Sequence, residues 1–446
     1  MSIAQPISPP AVARQWLMRR GLWRYRRHVL EGGVALADQA MVSGTNFLTS
    51  VLLARWLTPA DYGLYAVMLS LVYVLASVQQ ALVIQPMRVF GATVYKASQR
   101  EYFGNLIVGT AGIGLFMAAS FGLAALGWHW VAGGQTPQAL AGAGVAVFGV
   151  MLFWLGRNAS YITNGPQAAA ACDAFYVAIL LSGLWALQGT GDISIPRVLA
   201  LLGACSLAAA VLLFARMRPR LTRAGASRIG EQWRRHWRFG KWELTSTAIG
   251  SLNLVGVYGA SGLLLGMRET GALRALMNLT LPAQQFVTAI NRLLVPRLSE
   301  VFAGRGARAT REAVWKISAG LAALSIVGWI FTVVFRHEIF RFLYGGVYDE
   351  YADYLPPLML AIIALLISGM FEAALRAVRA PDAITLRHTI TTVICIAAAF
   401  SATALFGFPG MVAAVCVFFF SVLVITACFF QRRTAAGRRE PREPAK

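Results

Sequence analysis

The sequence predicts an all-α polytopic membrane protein with about twelve transmembrane helices. Of its 446 residues, 57% are hydrophobic and only 13% are charged, whereas about 25% of the residues in a typical soluble domain are charged. Stretches of about 20 apolar residues, long enough to cross about 30 Å of hydrocarbon, recur along the whole chain. Helices are the expected form of these stretches, because a helix satisfies its own backbone hydrogen bonds in lipid.

Each apolar stretch defines one predicted span, and no soluble domain fits between the spans. The boundaries follow the change from apolar to charged or turn-forming residues. In chain order the spans lie near residues 33–54, 63–85, 103–127, 139–156, 167–188, 198–215, 244–266, 271–295, 317–335, 356–377, 388–406 and 409–430.

The distribution of positive charge predicts the orientation of the spans. The net charge is +21, and most of the 40 Lys and Arg residues lie in the N-terminal segment, after each even-numbered span, and in the C-terminal tail. Positive residues are retained in short cytoplasmic loops because they translocate poorly. We therefore expect both termini in the cytoplasm and the chain in a bacterial inner membrane. The basic clusters are separated by spans, so they cannot form one nucleic-acid-binding patch.

The longest basic gap, residues 216–243, divides the chain into two sets of six spans. The predicted domains are a basic cytoplasmic or interfacial segment (1–32), a first bundle (33–215), a basic linker (216–243), a second bundle (244–430) and a basic tail (431–446). Two facing bundles with a substrate site between them are typical of alternating-access carriers. This organisation favours a transporter.

Motifs for catalysis and cofactor binding are missing from the sequence. It contains no Gly-x-x-x-x-Gly-Lys-Ser/Thr phosphate loop and no His-Glu-x-x-His zinc motif. The five cysteines lie inside apolar spans without the paired spacing of a disulfide set or metal site. We therefore expect no catalytic residue, no metal and no cofactor.

Three carboxylates within the spans need an explanation, because an ionisable residue at a helix centre costs about 2.5–3.5 kcal/mol on insertion scales. They are Asp38, Asp173 and Glu372, in spans one, five and ten. One hypothesis is that they bind a coupling proton or sodium ion. The alternative is a polar group near the headgroups, and Glu372 is also spaced to pair with Arg376 on one helical face.

Cationic and amide side chains within the spans are candidates for a substrate cavity. Arginines can grip phosphate bidentately, or their head groups can reach the membrane surface. Amides donate and accept hydrogen bonds, which suits sugar hydroxyls, but they also join helices to one another. The candidates are Arg55, Arg274, Arg292, Asn46, Gln79, Gln80, Asn253, Asn278, Gln284 and Gln285.

The first span and the loop after it resemble a known family. Asp38-Gln39 is followed by Ser43-Gly44-Thr45-Asn46-Phe47-Leu48 and by Leu53-Ala54-Arg55-Trp56-Leu57-Thr58-Pro59-Ala60-Asp61-Tyr62-Gly63-Leu64-Tyr65. This pattern is similar to that of the polysaccharide (O-antigen or exopolysaccharide) repeat-unit flippases of the multidrug/oligosaccharidyl-lipid/polysaccharide exporter superfamily. Residues 271–296 and 343–348 resemble the same family.

The resemblance implies a V-shaped pair of six-helix bundles, like that of the MATE transporters. It also implies outward flipping of an undecaprenyl-diphosphate-linked oligosaccharide, driven by a proton or sodium gradient. The residues that this analogy assigns to the diphosphate are Arg55, Arg274 and Arg292, followed by Asp38 and Asn46. The expected partners are the lipid-linked oligosaccharide, membrane lipids and the polysaccharide polymerase or chain-length machinery, with the chain itself a monomer.

Two other functions compete with this interpretation. A MATE-like drug or metabolite exporter would need acidic groups in its cavity to bind a lipophilic cation. From a different class, a membrane glycan polymerase or ligase would need catalytic residues on the periplasmic face, where the longest predicted gap runs only from Arg336 to Tyr354.

Overall fold

The computed structural model describes residues 33–34, 37–91, 93–131, 134–220, 226–378 and 380–436. In these residues the regular secondary structure is helical, without a β-strand. The helices are α1 (37–56), α2 (Pro59–Gln79), α3 (Gln85–Phe90), α4 (Gln99–Val131), α5 (Thr136–Thr163), α6 (Pro166–Gly189), α7 (Ile195–Met217), α8 (Ala226–Leu264), α9 (Met267–Asn278), α10 (Thr280–Val334), α11 (Arg336–Tyr344), α12 (Leu355–Ala377) and α13 (Pro381–Ala436). A π-helical turn, Gln80–Ile84, joins α2 to α3.

Proline marks the start of several helices, since its missing N–H has no partner in a first turn anyway. Pro59, Pro137, Pro166 and Pro196 occupy such positions. At α2 the Thr58 side chain also accepts a hydrogen bond from the Asp61 amide at 3.2 Å, which caps the helix. These local signals separate one span from the next.

Two of the helices are too long to be single spans. Helix α10 has 55 residues and α13 has 56, which would extend about 80 Å at about 1.5 Å per residue. Each is interrupted by a glycine with positive φ, 75° at Gly306 and 65° at Gly407, which side chains other than glycine rarely adopt. The breaks divide α10 and α13 at the predicted boundaries between spans eight and nine and between spans eleven and twelve.

The fold class is confirmed. Within the described ranges, nine helical stretches are long and apolar enough to cross a membrane, and one of them, Asp382–Ala435, covers two predicted spans. The first predicted span corresponds to α1, and the eighth to α9 with the start of α10. Every predicted span therefore has a helix.

The helices pack as two bundles. In the first, α5 packs against α2, α4, α6 and α7. In the second, α12 packs between α10 and α13, and α13 also packs on α8. The basic N-terminal segment (1–32) and residues 437–446 of the predicted tail lie outside the described residues.

The bundles meet most closely where α2 crosses α9, at the end predicted to be periplasmic. A Cβ atom on Gly63 would lie 1.8 Å from the Met267 carbonyl oxygen, and one on Gly271 would lie 2.1 Å from that of Pro59. Glycine at both positions thus lets the two backbones touch. We call this contact the glycine crossing.

Hydrogen bonds reinforce the glycine crossing. The Ser50 hydroxyl donates to Asn278 Oδ1 at 2.8 Å, and Asn278 Nδ2 donates to the Tyr62 hydroxyl at 2.8 Å. All three side chains are buried. They join α1 and α2 of the first bundle to α9 of the second.

The predicted linker is largely part of a continuous helix. Residues 226–243 form the first part of α8, so the predicted boundary at residue 244 falls inside a helix. His236 lies 2.8 Å from the Tyr102 hydroxyl and 3.2 Å from the Leu82 carbonyl oxygen in the π-helical turn. A Cβ on Gly240 would lie 2.7 Å from the Ala81 carbonyl oxygen. The start of α8 is therefore packed against the first bundle.

Candidate functional site

A cavity of about 340 Å³ lies between the two bundles. Its walls come from α1, α2, α5, α6 and α7 on one side and from α8, α9 and α10 on the other. The described residues that line it include no Asp or Glu. Its polar and aromatic lining residues are Asn46, Thr49, Ser50, Tyr65, Ser70, Tyr73, Phe153, Trp154, Tyr176, Ser206, Tyr258, Arg274, Thr280 and Gln284.

Helical spacing places the polar groups on the cavity walls. Val42, Asn46, Thr49 and Ser50 follow one face of α1, because side chains three and four residues apart lie on the same side of a helix. The Thr49 hydroxyl is buried without a hydrogen-bond partner among the described residues. It therefore adds an unsatisfied polar group to the cavity wall.

Arg274 supplies the positive charge of the cavity. Its Nη1 donates to the Tyr258 hydroxyl at 3.3 Å, and its guanidinium carbon lies 5.8 Å from the centre of the Tyr258 ring. Its Nε is buried without a hydrogen-bond partner, and none of the ion pairs among the described residues includes Arg274. A half-buried guanidinium without a carboxylate partner favours an incoming anion.

Of the predicted substrate residues, Asn46, Arg274 and Gln284 line the cavity together. Arg55 lies outside it: the side chain is exposed, and Arg55 Nε would be 3.3 Å from a Cβ on Gly345. The Arg292 side chain lies outside the described part of the structure.

The other predicted amides lie outside the cavity lining. Gln79 Nε2 donates to the Met151 carbonyl oxygen at 2.8 Å within the first bundle. Gln285 Oε1 accepts from Gln39 Nε2 at 3.1 Å and so links α10 to α1. Asn278 belongs to the glycine crossing. Gln80 and Asn253 each bury a side-chain oxygen without a partner among the described residues.

The predicted ion-binding carboxylates Asp38 and Asp173 converge on one arginine. Arg157 Nη2 lies 2.6 Å from Asp38 Oδ2, and Arg157 Nε lies 2.5 Å from Asp173 Oδ2. The Tyr161 hydroxyl also donates to Asp38 Oδ2 at 2.5 Å. Both carboxylates are buried, and the Oδ1 atom of each lacks a partner among the described residues. We call Asp38, Arg157, Tyr161 and Asp173 the carboxylate cluster.

Glu372, the third predicted carboxylate, lies between two arginines in the second bundle. It accepts from Arg376 Nη2 at 2.6 Å, the pairing expected from their spacing, and lies 3.2 Å from Arg387 Nη2. Arg387 is itself buried and lies 2.7 Å from His388 Nε2. The charge of Glu372 is therefore more than balanced by its neighbours.

The family model described as "Polysaccharide biosynthesis protein" matches residues 52–353. That range covers more than half of the sequence and includes the glycine crossing and most of the cavity walls. The chain belongs to this polysaccharide biosynthesis family. No curated protein matches its sequence.

Solved structures with the same fold are membrane transporters and flippases. An inward-facing multidrug resistance MATE family transporter of the MOP superfamily superposes on this chain with a TM-score of 0.72. The two are 11% identical in sequence, and the match covers 92% of this chain and 99% of the transporter. With the lipid II flippase MurJ in an inward closed conformation, the TM-score is 0.67 at 11% identity, over 92% and 91%. With an outward-facing multidrug resistance MATE family transporter, the TM-score is 0.58 at 13% identity, and the match covers 91% of this chain and 96% of the transporter.

The chain thus combines membership of a polysaccharide biosynthesis family with the fold of a MATE transporter and of the MurJ flippase. It has the MATE-like architecture expected from its sequence.

Sequence reasoning missed some residues that this family member brings to the site. Arg157 follows predicted span four, where the charge pattern indicates only a cytoplasmic loop, although two buried carboxylates at similar depth require a cation nearby. The aromatic side chains that line the cavity, such as Tyr65 and Tyr73 of α2, were also missed. Tyr65, Leu69 and Tyr73 are spaced four residues apart, which places them on one face of α2. That spacing was the available signal.

Proposed function

We propose that this chain flips undecaprenyl-diphosphate-linked oligosaccharide repeat units from the cytoplasmic to the periplasmic leaflet by ion-coupled alternating access. The observation that carries the proposal is the guanidinium of Arg274, which faces a cavity between two bundles without a carboxylate partner among the described residues. A diphosphate is the chemical group that suits it, since the planar fork of arginine binds phosphate oxygens bidentately.

The polarity of the cavity favours an anionic glycolipid over a cationic drug. A lipophilic cation would be attracted by carboxylates, but the described cavity lining offers a guanidinium, hydroxyls and amides. Hydroxyls and amides such as those of Thr49, Asn46 and Gln284 can exchange hydrogen bonds with sugar hydroxyls. The lipid tail can remain in the bilayer while the polar head crosses between the bundles.

The direction of transport is supported by where the bundles touch. The glycine crossing closes the end predicted to be periplasmic by backbone contact between α2 and α9. Towards the other end, α1 and α10 meet through the side-chain amides of Gln39 and Gln285, and the start of α8 packs on the first bundle. Loading from the cytoplasmic leaflet then requires less rearrangement. An interior-negative potential also favours outward movement of negative charge by about 2.3 kcal/mol per charge per 100 mV.

Ion coupling is supported by the charge balance of the carboxylate cluster. One guanidinium faces two buried carboxylates, so the cluster carries an excess negative charge when both are ionised. A buried excess charge is costly, and one proton or one sodium ion would neutralise it. Because Asp38 is in α1, which also lines the cavity, ion binding at the cluster can influence the cavity wall.

The test uses a strain that lacks this chain and any second flippase. Complementation with Arg274→Ala should lower export of the finished polysaccharide by about 10- to 100-fold, because a charge-assisted contact is lost. Lipid-linked oligosaccharide should accumulate on the cytoplasmic face. Arg274→Lys keeps the charge but loses the planar fork, so its export should lie between that of the unmodified chain and that of Arg274→Ala.

Arg197→Ala is the matched control, since Arg197 is an exposed residue paired with Asp192 away from the cavity. It should export normally. Normal export by Arg274→Ala, or normal export in the deletion strain itself, would show that this flipping function is wrong. Restored resistance to cationic drugs, without any change in the polysaccharide, would instead identify a drug exporter.

A further inference from the structure

The wall of the cavity in the first bundle is built from aromatic rings. Tyr73 of α2 and Trp154 of α5 stack with their ring centroids 6.2 Å apart and their planes within 14° of parallel. Both side chains line the cavity and are only half-buried. A half-buried, nearly parallel aromatic pair therefore faces the space between the bundles.

A second stacked pair lines the same cavity in the first bundle. Phe153 and Tyr176 lie with their ring centroids 4.8 Å apart and are buried in the first bundle. Phe153 is next to Trp154 in α5, so the packing of the second pair fixes the same turn of helix that carries Trp154. A rigid aromatic surface loses little conformational entropy when a ligand binds to it.

The charge of the cavity comes from the opposite bundle. Arg274 and its partner Tyr258 belong to α9 and α8, whereas Tyr73 and Trp154 belong to α2 and α5. The cavity thus has a cationic wall and an aromatic wall on different bundles. A head group that joins a diphosphate to a sugar has the same two-part chemistry.

We propose that Tyr73 and Trp154 form a stacking site for the sugar next to the diphosphate, while Arg274 holds the diphosphate across the cavity. This inference rests on the proposed function and specifies where each part of the substrate binds. The C–H face of a pyranose ring is apolar and carries partial positive charge, so it packs favourably on the negative face of an aromatic ring. The sugar hydroxyls remain free for the amides and hydroxyls of the other walls.

The stacking site also predicts how the two bundles cooperate. A sugar diphosphate bound to both walls would bring the cationic bundle and the aromatic bundle together around the head group. Undecaprenyl diphosphate without a sugar would contact only the cationic wall. The sugar-free lipid should therefore bind more weakly than the lipid that carries one sugar.

The experiment measures binding to the purified full-length chain in detergent micelles. The probes are undecaprenyl diphosphate and its glucose, galactose and N-acetylglucosamine adducts, and the readout is the ratio of Kd values without and with the best of these sugars. In the unmodified chain the sugar should tighten binding by about fivefold or more. Tyr73→Leu and Trp154→Leu should each reduce the ratio towards one and leave the Kd for undecaprenyl diphosphate unchanged.

Two further variants distinguish stacking from general damage. Tyr73→Phe keeps the ring and should keep the ratio. Trp130→Leu is the matched control for Trp154→Leu, because Trp130 is 87% exposed at the end of α4. It should change neither Kd value.

Each remaining outcome has one interpretation. If Tyr73→Leu and Trp154→Leu weaken both probes equally, or change neither, the stacking site is wrong and the proposed function stands. If the unmodified chain binds undecaprenyl diphosphate but gains nothing from any of the three sugars, the stacking site is again wrong. If it binds none of the probes, both the stacking site and the diphosphate-linked substrate are wrong.

Discussion

The carboxylate cluster contains one cation for two anions, so it carries one excess negative charge when both carboxylates are ionised. Arg157 reaches both Asp38 and Asp173, and the Tyr161 hydroxyl supplies a further hydrogen bond to Asp38. The remaining Oδ1 atoms have no partner among the described residues. The proposed coupling ion, a proton or sodium, would bind there without displacing an existing hydrogen bond.

Asp173→Asn should uncouple transport from the ion gradient. The amide removes the excess negative charge, so the cluster no longer requires an ion for neutrality. In proteoliposomes, flipping by the unmodified chain should accelerate when a proton or sodium gradient is imposed, and flipping by Asp173→Asn should not. Asp192→Asn, an exposed loop carboxylate, is the control and should respond normally. A full response by Asp173→Asn would place coupling elsewhere.

His236 has a pH-dependent effect on stability. It is 1% exposed, and burial lowers its pKa from 6.5 to about 4. The folded protein therefore keeps the imidazole neutral, whereas the unfolded chain protonates it as the pH falls below about 6.5. The stabilisation of the folded state by neutral His236 is complete above about pH 6.5. It is lost progressively as the pH falls from there through about 4.

The expected loss between pH 7.5 and pH 5 is about 2 kcal/mol, from about 1.5 pH units at about 1.4 kcal/mol per unit. Thermal unfolding in detergent should show a decrease in Tm over this range for the unmodified chain. His236→Gln, which cannot titrate, should show a smaller decrease. Parallel Tm profiles for the two proteins would contradict the assignment.

Part of the site could be predicted residue by residue. Asn46, Arg274 and Gln284 stand out because polar groups are costly in apolar spans, and the structure places all three on the cavity. Tyr73 and Trp154 do not stand out, because aromatic residues are common in such spans. Arg55, like Arg274, is an arginine near the end of a predicted span, but its side chain is exposed beside Gly345. The sequence does not distinguish the two, because tertiary packing decides which span ends face the cavity.

At the scale of elements, α2 and α9 depend on their paired glycines. A Cβ at Gly271 would overlap the Pro59 carbonyl oxygen, and one at Gly63 would overlap that of Met267. Backbone atoms cannot move aside as the end of a flexible side chain can. The glycine crossing therefore tolerates no larger residue in this conformation.

Gly271→Leu should keep the bundles apart at the glycine crossing and lower transport by at least about tenfold, because a cycle that cannot close one end cannot alternate. In a chain that also carries Ser50→Cys, a membrane-impermeant thiol reagent added from the periplasmic side should label Cys faster when Gly271 is replaced. Gly112→Leu in α4 is the control, since a Cβ there would meet no atom within 4 Å. Unchanged transport by Gly271→Leu would show that this contact does not open and close.

The elements themselves were largely predictable, because hydrophobic length and charged gaps define a transmembrane helix. The start of α8 was not. Its basic residues predict a cytoplasmic linker between the bundles, but it is the first part of a continuous helix, and His236 and Gly240 pack it on the first bundle. His236 contacts the Leu82 carbonyl oxygen in the π-helical turn. This contact could not be predicted, because a π-helical turn has no reliable sequence signature.

At the scale of the whole molecule, the proposed alternating access requires the two bundles to separate at one end and approach at the other. The buried hydrogen bonds among Ser50, Tyr62 and Asn278 hold one end closed. The loop after α11 adds Tyr348, whose ring centroid lies 6.3 Å from that of Tyr62. Opening this end requires all of these contacts to break together.

Joining the bundles at this end should stop transport. With the five native cysteines replaced, Ser50→Cys and Asn278→Cys can be linked by a short, reducible bifunctional thiol reagent. Flipping should cease after cross-linking and recover after reduction. Linking Arg268→Cys to Glu350→Cys, within the second bundle, is the control and should leave flipping intact. Continued flipping by the first cross-linked protein would contradict rigid-body alternation at this end.

The continuity of α8 has a mechanical consequence for the molecule. Gly240 is packed against Ala81 and Leu82 of the first bundle, while the Ile249 carbonyl accepts a hydrogen bond from Thr392 in the second at 3.2 Å. In the proposed alternating access, if both of these contacts are kept, rotation of one bundle against the other would be absorbed as curvature over the two or three helical turns between Gly240 and Ile249. The angle between the bundles and the bend of this one helix would then be a single variable, and the stiffness of that short stretch would set how far each conformational change can proceed.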